Sequence, residues 1–115
     1  MGYVNTLWQA DANAAALSAF RHVRVPPLVV NVAGPEVLSV RRIAEELGKR
    51  FPRPVTFQGT ESPDALLSNG ELGYRLFGEP RVPAKQIVAW IADWVARGQE
   101  TLGKPTRFEV RDGKY

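Results

Sequence analysis

The order of apolar runs, caps and turns predicts a small α/β domain, β-α-β-α-β-α-α, with short and mostly parallel strands. Three observations carry this expectation. Leu28-Val29-Val30-Asn31-Val32 is a nearly continuous apolar run, the pattern of a strand covered on both faces rather than of a half-exposed hairpin. Two later segments repeat apolar residues at helical spacing: Val40, Ile43, Ala44, Leu47 and Phe51, then Ile87, Trp90, Ile91, Trp94 and Val95. Between these segments stand the residues that stop regular structure: Pro26-Pro27, Gly34-Pro35, Pro52, Pro54, Gly78 and Pro80.

Taken in order, Tyr3 to Gln9 alternates loosely with β-branched and aromatic residues and predicts a first strand. Asp11 stands where an N-cap belongs, ahead of Ala12 to Phe20, a run of strong helix formers. Pro26-Pro27 ends that connection, and Leu28 to Val32 is the second strand. The Gly34-Pro35 turn leads to Ser39, a capping residue for a helix whose charges lie opposite its apolar stripe. Val55-Thr56-Phe57 predicts a third short strand. Ser62-Pro63-Asp64 has the composition of a turn or helix start, and Ala65-Leu66-Leu67 is expected to pack inward. Leu72, Leu76 and Phe77 predict a short helix ended by Gly78 and Pro80. Pro83 suits the first turn of a closing helix that Gly98 stops. Two tryptophans on one stripe of that helix, Trp90 and Trp94, are expected to be largely buried. The last segment, 99–115, is expected to be a tail that is either extended or mobile.

The 115 residues suffice for one domain with a modest core. A hydrophobic fraction of 44% with 23% charged residues is ordinary for a globular chain and argues against disorder. No apolar run approaches the ~20 residues that span a bilayer, and the N-terminus lacks a signal-peptide pattern. With no cysteine, disulfides, thiolate metal sites and thiol nucleophiles are excluded, and a cytoplasmic setting is the default expectation. The pI is near 9.6, but the net charge is only +3 and is dispersed. Arg41, Arg42, Glu45, Glu46, Lys49 and Arg50 are spaced to neutralise one another at i,i+4, so nucleic acid is not an expected partner.

Groups that carry chemistry are sparse. His22 is the lone histidine, at the end of the first helix and without a sequence neighbour for acid–base work, so no metal site is expected. A phosphate loop needs spaced glycines between a strand and a helix. Gly70, Gly73 and Gly78 are irregularly spaced, and Gly34 stands alone before Pro35 and Glu36, whose charge opposes a phosphate. Glu61 and Asp64 are the carboxylates best able to face a cleft, yet nothing distinguishes an acid from a base. Ser39, Ser62 and Ser68 lack a base at suitable spacing. No catalytic, cofactor-binding or metal-ligating residue is predicted.

Three segments together resemble the C-terminal part of the extended short-chain dehydrogenase/reductases, the NAD-dependent epimerase/dehydratase family. Val4 to Ala14 is similar to a strand followed by an Asp-X-Ala helix start, with Asp11 and Ala12 at its first two positions. Val30-Asn31-Val32-Ala33-Gly34, with Ser39 and Ile43-Ala44, resembles an Asn-X-Gly-X-Gly strand and Ser-capped helix. Leu76 to Pro80 with Trp90 resembles a Leu-Gly-Trp-X-Pro element and its closing helix.

The resemblance implies that residues 1–98 form a substrate-side lobe of an extended Rossmann-type enzyme and that residues 28–32 are its last Rossmann-type strand. The family's cofactor loop, Gly-X-X-Gly-X-X-Gly, and its Tyr-X-X-X-Lys pair are absent here. The implied polypeptide is therefore a fragment, inactive by itself, with no cofactor of its own and NAD or NADP implied for the intact enzyme. Nucleotide-sugar epimerases of the family place arginines in this lobe to grip a diphosphate. At the matching positions this chain has Val4 or Asn5 and Gln58, which implies a smaller or uncharged substrate. Asn5, Gln58, Glu61 and Ser68 are the residues expected to face it. The alternative is a free-standing small α/β interaction module without enzymatic activity. Cut off from the sheet it expects, the apolar strand 28–32 is anticipated to form a homodimer that hides it together with the Ala14/Leu17 face of the first helix, the competing outcome being that the tail from Lys104 to Tyr115 folds back over it.

Overall fold

The computed structural model describes residues 2–61, 65 and 67–104. The elements run β1 (Tyr3–Val4), α1 (Gln9–Ala19), a single 3-10 turn (Phe20–His22), β2 (Leu38–Ser39), α2 (Val40–Arg50), α3 (Glu71–Phe77) and α4 (Ala84–Ala96). The chain is thus mixed α/β, with four helices and a two-stranded sheet among the described residues.

The sheet corrects the expectation of mostly parallel strands. β1 and β2 pair antiparallel, Tyr3 opposite Ser39 and Val4 opposite Leu38. One further bond, from the Val40 amide to the Gly2 carbonyl (3.0 Å), carries the pairing into the start of α2. The segments expected to form the other strands do not join it. Residues 27–34 run straight, without turn, bend or helix, but none of residues 28–32 pairs its backbone with another backbone group among the described residues. Residues 55–57 are likewise outside any ladder, and the Phe57 ring lies under the Arg41 guanidinium, 4.1 Å from its centre. Apolar composition marks a segment fit for a sheet interior; pairing needs neighbouring strands, and among the described residues none lies beside these two segments.

The helices follow local rules more closely. The Ser39 hydroxyl accepts the Arg42 amide (3.3 Å) and caps α2 as expected. Gly78, at φ +87°, ends α3, and its amide bonds back to the Tyr74 carbonyl (2.9 Å). At the end of α4 the Gly98 amide reaches Val95 and the Gln99 amide reaches Trp94. α1 starts earlier than expected: Trp8 is its N-cap residue and Asp11 lies in its first turn. The first strand is shortened to match. Of the four i,i+4 pairs expected on α2, Glu46–Arg50 closes (2.7 Å), while Arg41 turns away to Glu61.

Little of this surface is removed from water. The buried hydrophobic residues among those described are Ala33, Ala84, Ile87 and Ala92, and no large side chain is fully enclosed. Trp90 and Trp94, expected in the core, remain 43% and 52% exposed. Trp90 meets the Trp8 ring at 4.9 Å, and the Trp94 indole N–H donates to the Glu100 carbonyl (2.9 Å). The stripe exists as the spacing dictates, but among the described residues no element covers its outer half. Ala65 is half-buried and Leu67 exposed, so inward packing holds for the first alone; Leu66, Ser62-Pro63-Asp64 and 105–115 lie outside the described residues.

Candidate functional site

Four side chains tie the chain together through long-range hydrogen bonds to backbone where the packing is thin. Asp11 Oδ2 accepts the Val82 amide (3.0 Å), joining the first turn of α1 to the approach to α4. Glu36 Oε1 accepts the Ala84 amide (2.9 Å) and so caps α4. Pro83, at the cap position, has no side-chain acceptor, and the helix borrows one from the turn after Gly34. The Tyr74 hydroxyl donates to the Ala33 carbonyl (3.0 Å). Asn5 Nδ2 donates to the carbonyls of Gly34 (3.3 Å) and Ser68 (2.7 Å), and Asn5 Oδ1 accepts the Ser68 amide (3.4 Å).

The four residues expected to face a substrate fall into two pairs. Asn5 and Ser68 are brought together, but both ends of the Asn5 amide are spent on backbone groups, so this side chain positions a loop. Gln58 and Glu61 line a shallow hollow beside Val40, Arg41 and Phe57. There Glu61 Oε1 accepts Arg41 Nε at 2.7 Å, with both side chains partly exposed. No hydrogen bond among the described residues links the two pairs.

Two further depressions flank α1. One, between α1 and α3, is lined by Asp11, Ser18, Ala33, Tyr74, Glu79 and Arg81 and holds about 130 Å³, less than the ~300–1,000 Å³ usual for small-molecule sites. The other is a groove of about 510 Å³ between the alanine face of α1 (Ala12, Ala16, Ala19) and the side chains of Leu28, Val30 and Val32. Its lining is mainly apolar, and it lacks the convergent polar groups that orient a small ligand. His22, at its rim, packs edge-on against Phe77 with ring centres 5.6 Å apart. Among the described residues no three His, Asp or Glu side chains cluster to hold a metal, and no helix is long and apolar enough to cross a membrane.

Gly34 follows an apolar run, as a phosphate-binding glycine should, but the space a Cβ would take there is filled by the Thr6 carbonyl. Its glycine character serves a close chain crossing, not a pyrophosphate. The acid that follows, Glu36, is committed to α4.

Sequence reasoning missed the roles of Asp11, Glu36 and Tyr74. A partial signal existed for Glu36, since a helix led by Pro83 without Ser, Thr, Asp or Asn needs an acceptor from elsewhere. Asp11 was legible as an acid near a helix start, but its partner 71 residues away was not.

Comparison with family models, with curated proteins and with solved structures finds no match to the chain.

Proposed function

We propose that this chain is the substrate-side, C-terminal portion of an NAD(P)-dependent epimerase/dehydratase-like oxidoreductase of the extended short-chain type, working in the cytoplasm and inert by itself. One observation supports the reading above the others. The three segments that carry the family resemblance are joined within the fold, Asn5 directly to Gly34, and Asp11, Ala33 and Glu36 to Val82, Tyr74 and Ala84 in and beside the third segment.

In this reading Asn5 holds the loop that presents Ser68, while Gln58 and Glu61 offer polar groups beside Arg41. The Arg41 charge is already met by Glu61. A substrate without a diphosphate suits such a lobe better than a nucleotide sugar. The cofactor and the proton-transferring residues belong to the remainder of the enzyme.

Two measurements test this. Reading the coding DNA upstream of the Met1 codon should reveal an in-frame glycine-rich strand–loop–helix and a Tyr-X-X-X-Lys pair; a start site with neither would overturn the assignment. Calorimetric titration of the isolated chain with NAD+ and NADP+ should give no binding heat, and micromolar affinity would show that the cofactor site lies within these residues.

A further inference from the structure

The segment 28–32 has the side-chain alternation of a strand and, among the described residues, lacks a strand's partner. It runs straight between bends at Val25-Pro26 and Pro35. Leu28, Val30 and Val32 line the groove against α1, while Val29 on the other face is 84% exposed, the alternation of a strand. Along a strand, backbone groups of successive residues point to opposite edges. The odd-numbered edge is engaged: the Asn31 carbonyl abuts Gly73, whose added Cβ would lie 2.8 Å from it, and the Ala33 carbonyl takes the Tyr74 hydroxyl. No hydrogen bond among the described residues engages the backbone groups of Leu28, Val30 or Val32. Among the described residues one edge is therefore closed, and the other presents a row of donors and acceptors open to pairing with another strand.

We propose that a second copy of this chain supplies that strand, giving a two-fold dimer in which residues 28–32 of the two copies pair antiparallel with Val30 on the axis. The inference concerns the 115-residue chain and stands apart from the family reading. The geometry fixes the register. A two-fold centred on Val30 makes Val30–Val30 and Leu28–Val32 the hydrogen-bonded pairs, which use the even-numbered edge, and leaves Val29 facing Asn31 of the other copy.

Charge agrees with like-to-like pairing. From Val25 to Pro35 the chain carries no charge, so nothing on the strand repels its own copy. The flanking charges are opposite in sign, Arg24 before the run and Glu36 after it, and an antiparallel arrangement brings unlike ends together. The apolar supply is adequate as well. Phe20, Val23, Val25 and Val29 are each 75–98% exposed. Together they offer on the order of 500 Å² to a partner, most of the ~800 Å² that each side of a standard interface buries.

The register gives a test that general stickiness would fail. Val29 and Asn31 are both exposed and bonded to nothing in the described structure, so charging them leaves the fold of one copy intact. Across the axis they form a non-hydrogen-bonded pair, with Cα atoms about 4.5 Å apart. The full chain should scatter light as a dimer at micromolar concentration. The double variant Val29→Lys with Asn31→Lys sets like charges opposite each other twice and should dissociate at least about tenfold more readily than Val29→Lys with Asn31→Glu, which sets unlike charges there. Circular dichroism should be the same for both variants. A wild-type chain that stays monomeric as its concentration rises overturns the proposal, as does equal association of the two variants, which would place the contact elsewhere, for instance on the tryptophan face of α4.

Discussion

The carboxylate of Asp11 accepts the amide hydrogen of Val82 at 3.0 Å, and with it the first turn of α1 grips the segment leading into α4. The bond is part-buried and spans most of the chain, where few apolar contacts offer an alternative hold. A charged acceptor makes it stronger than an ordinary amide bond. Asp11→Ala leaves the Val82 N–H without a partner and should lower stability by about 1–3 kcal/mol, read as a fall in the urea midpoint. Asp11→Asn keeps an acceptor and should recover at least half of that loss.

Gly34→Ala tests the crossing of the chain over itself. The added methyl would meet the Thr6 carbonyl carbon and oxygen, both backbone atoms that cannot rotate aside. The segment after β1 must therefore move away from the turn, breaking the Asn5–Gly34 bond. A cost of about 3 kcal/mol or more is expected, at the upper end for overpacking, and loss of helical circular dichroism at moderate temperature would report it. A variant as stable as wild type would mean the two segments are not in contact.

Glu36→Ala uncaps α4 at a helix that has no cap of its own. The expected loss is about 1 kcal/mol, and Glu36→Gln, which keeps an acceptor oxygen, should lose a few tenths. Thermal melting of the two variants beside wild type separates capping from a charge effect, since both remove the charge and only one removes the acceptor.

The tryptophans of α4 should behave unequally. Trp90 packs on Trp8, so Trp90→Ala removes an aromatic pair as well as half-buried surface and should cost about 2 kcal/mol. Trp94 is more exposed and its indole makes one bond to a carbonyl, so Trp94→Ala should cost about 1 kcal/mol. Acrylamide should quench the fluorescence of both indoles in the isolated chain.

Local chemistry was legible in the sequence where the answer is local. Ser39 before an amphipathic run, Gly78 after Phe77, and Gly98 after the Trp stripe each specify a helix end through groups within one turn. What could not be read was what lies across from a segment. Leu28 to Val32 carries the composition of a covered strand, and Trp90 and Trp94 lie on one stripe, but composition states what a face requires and not what meets it. The candidate residues divide the same way. Glu61 and Gln58 share a hollow because four residues of chain keep them close, whereas the Asn5–Ser68 bracket spans 63 positions and depends on the fold. Both residues had been singled out, although the part Asn5 plays, as a clasp on backbone, differs from the one expected.

The scarcity of enclosed side chains among the described residues, three alanines and Ile87, has a calorimetric consequence. The heat-capacity increment and the denaturant slope of unfolding both scale with the surface newly exposed to water, and here little is held back. Melting of the single copy should be shallow and spread over a wide temperature range, with a small ΔCp. Any surface that binds the folded form should then sharpen the transition and raise its midpoint with concentration, so the width of the endotherm measures how much of the fold is completed from outside the chain.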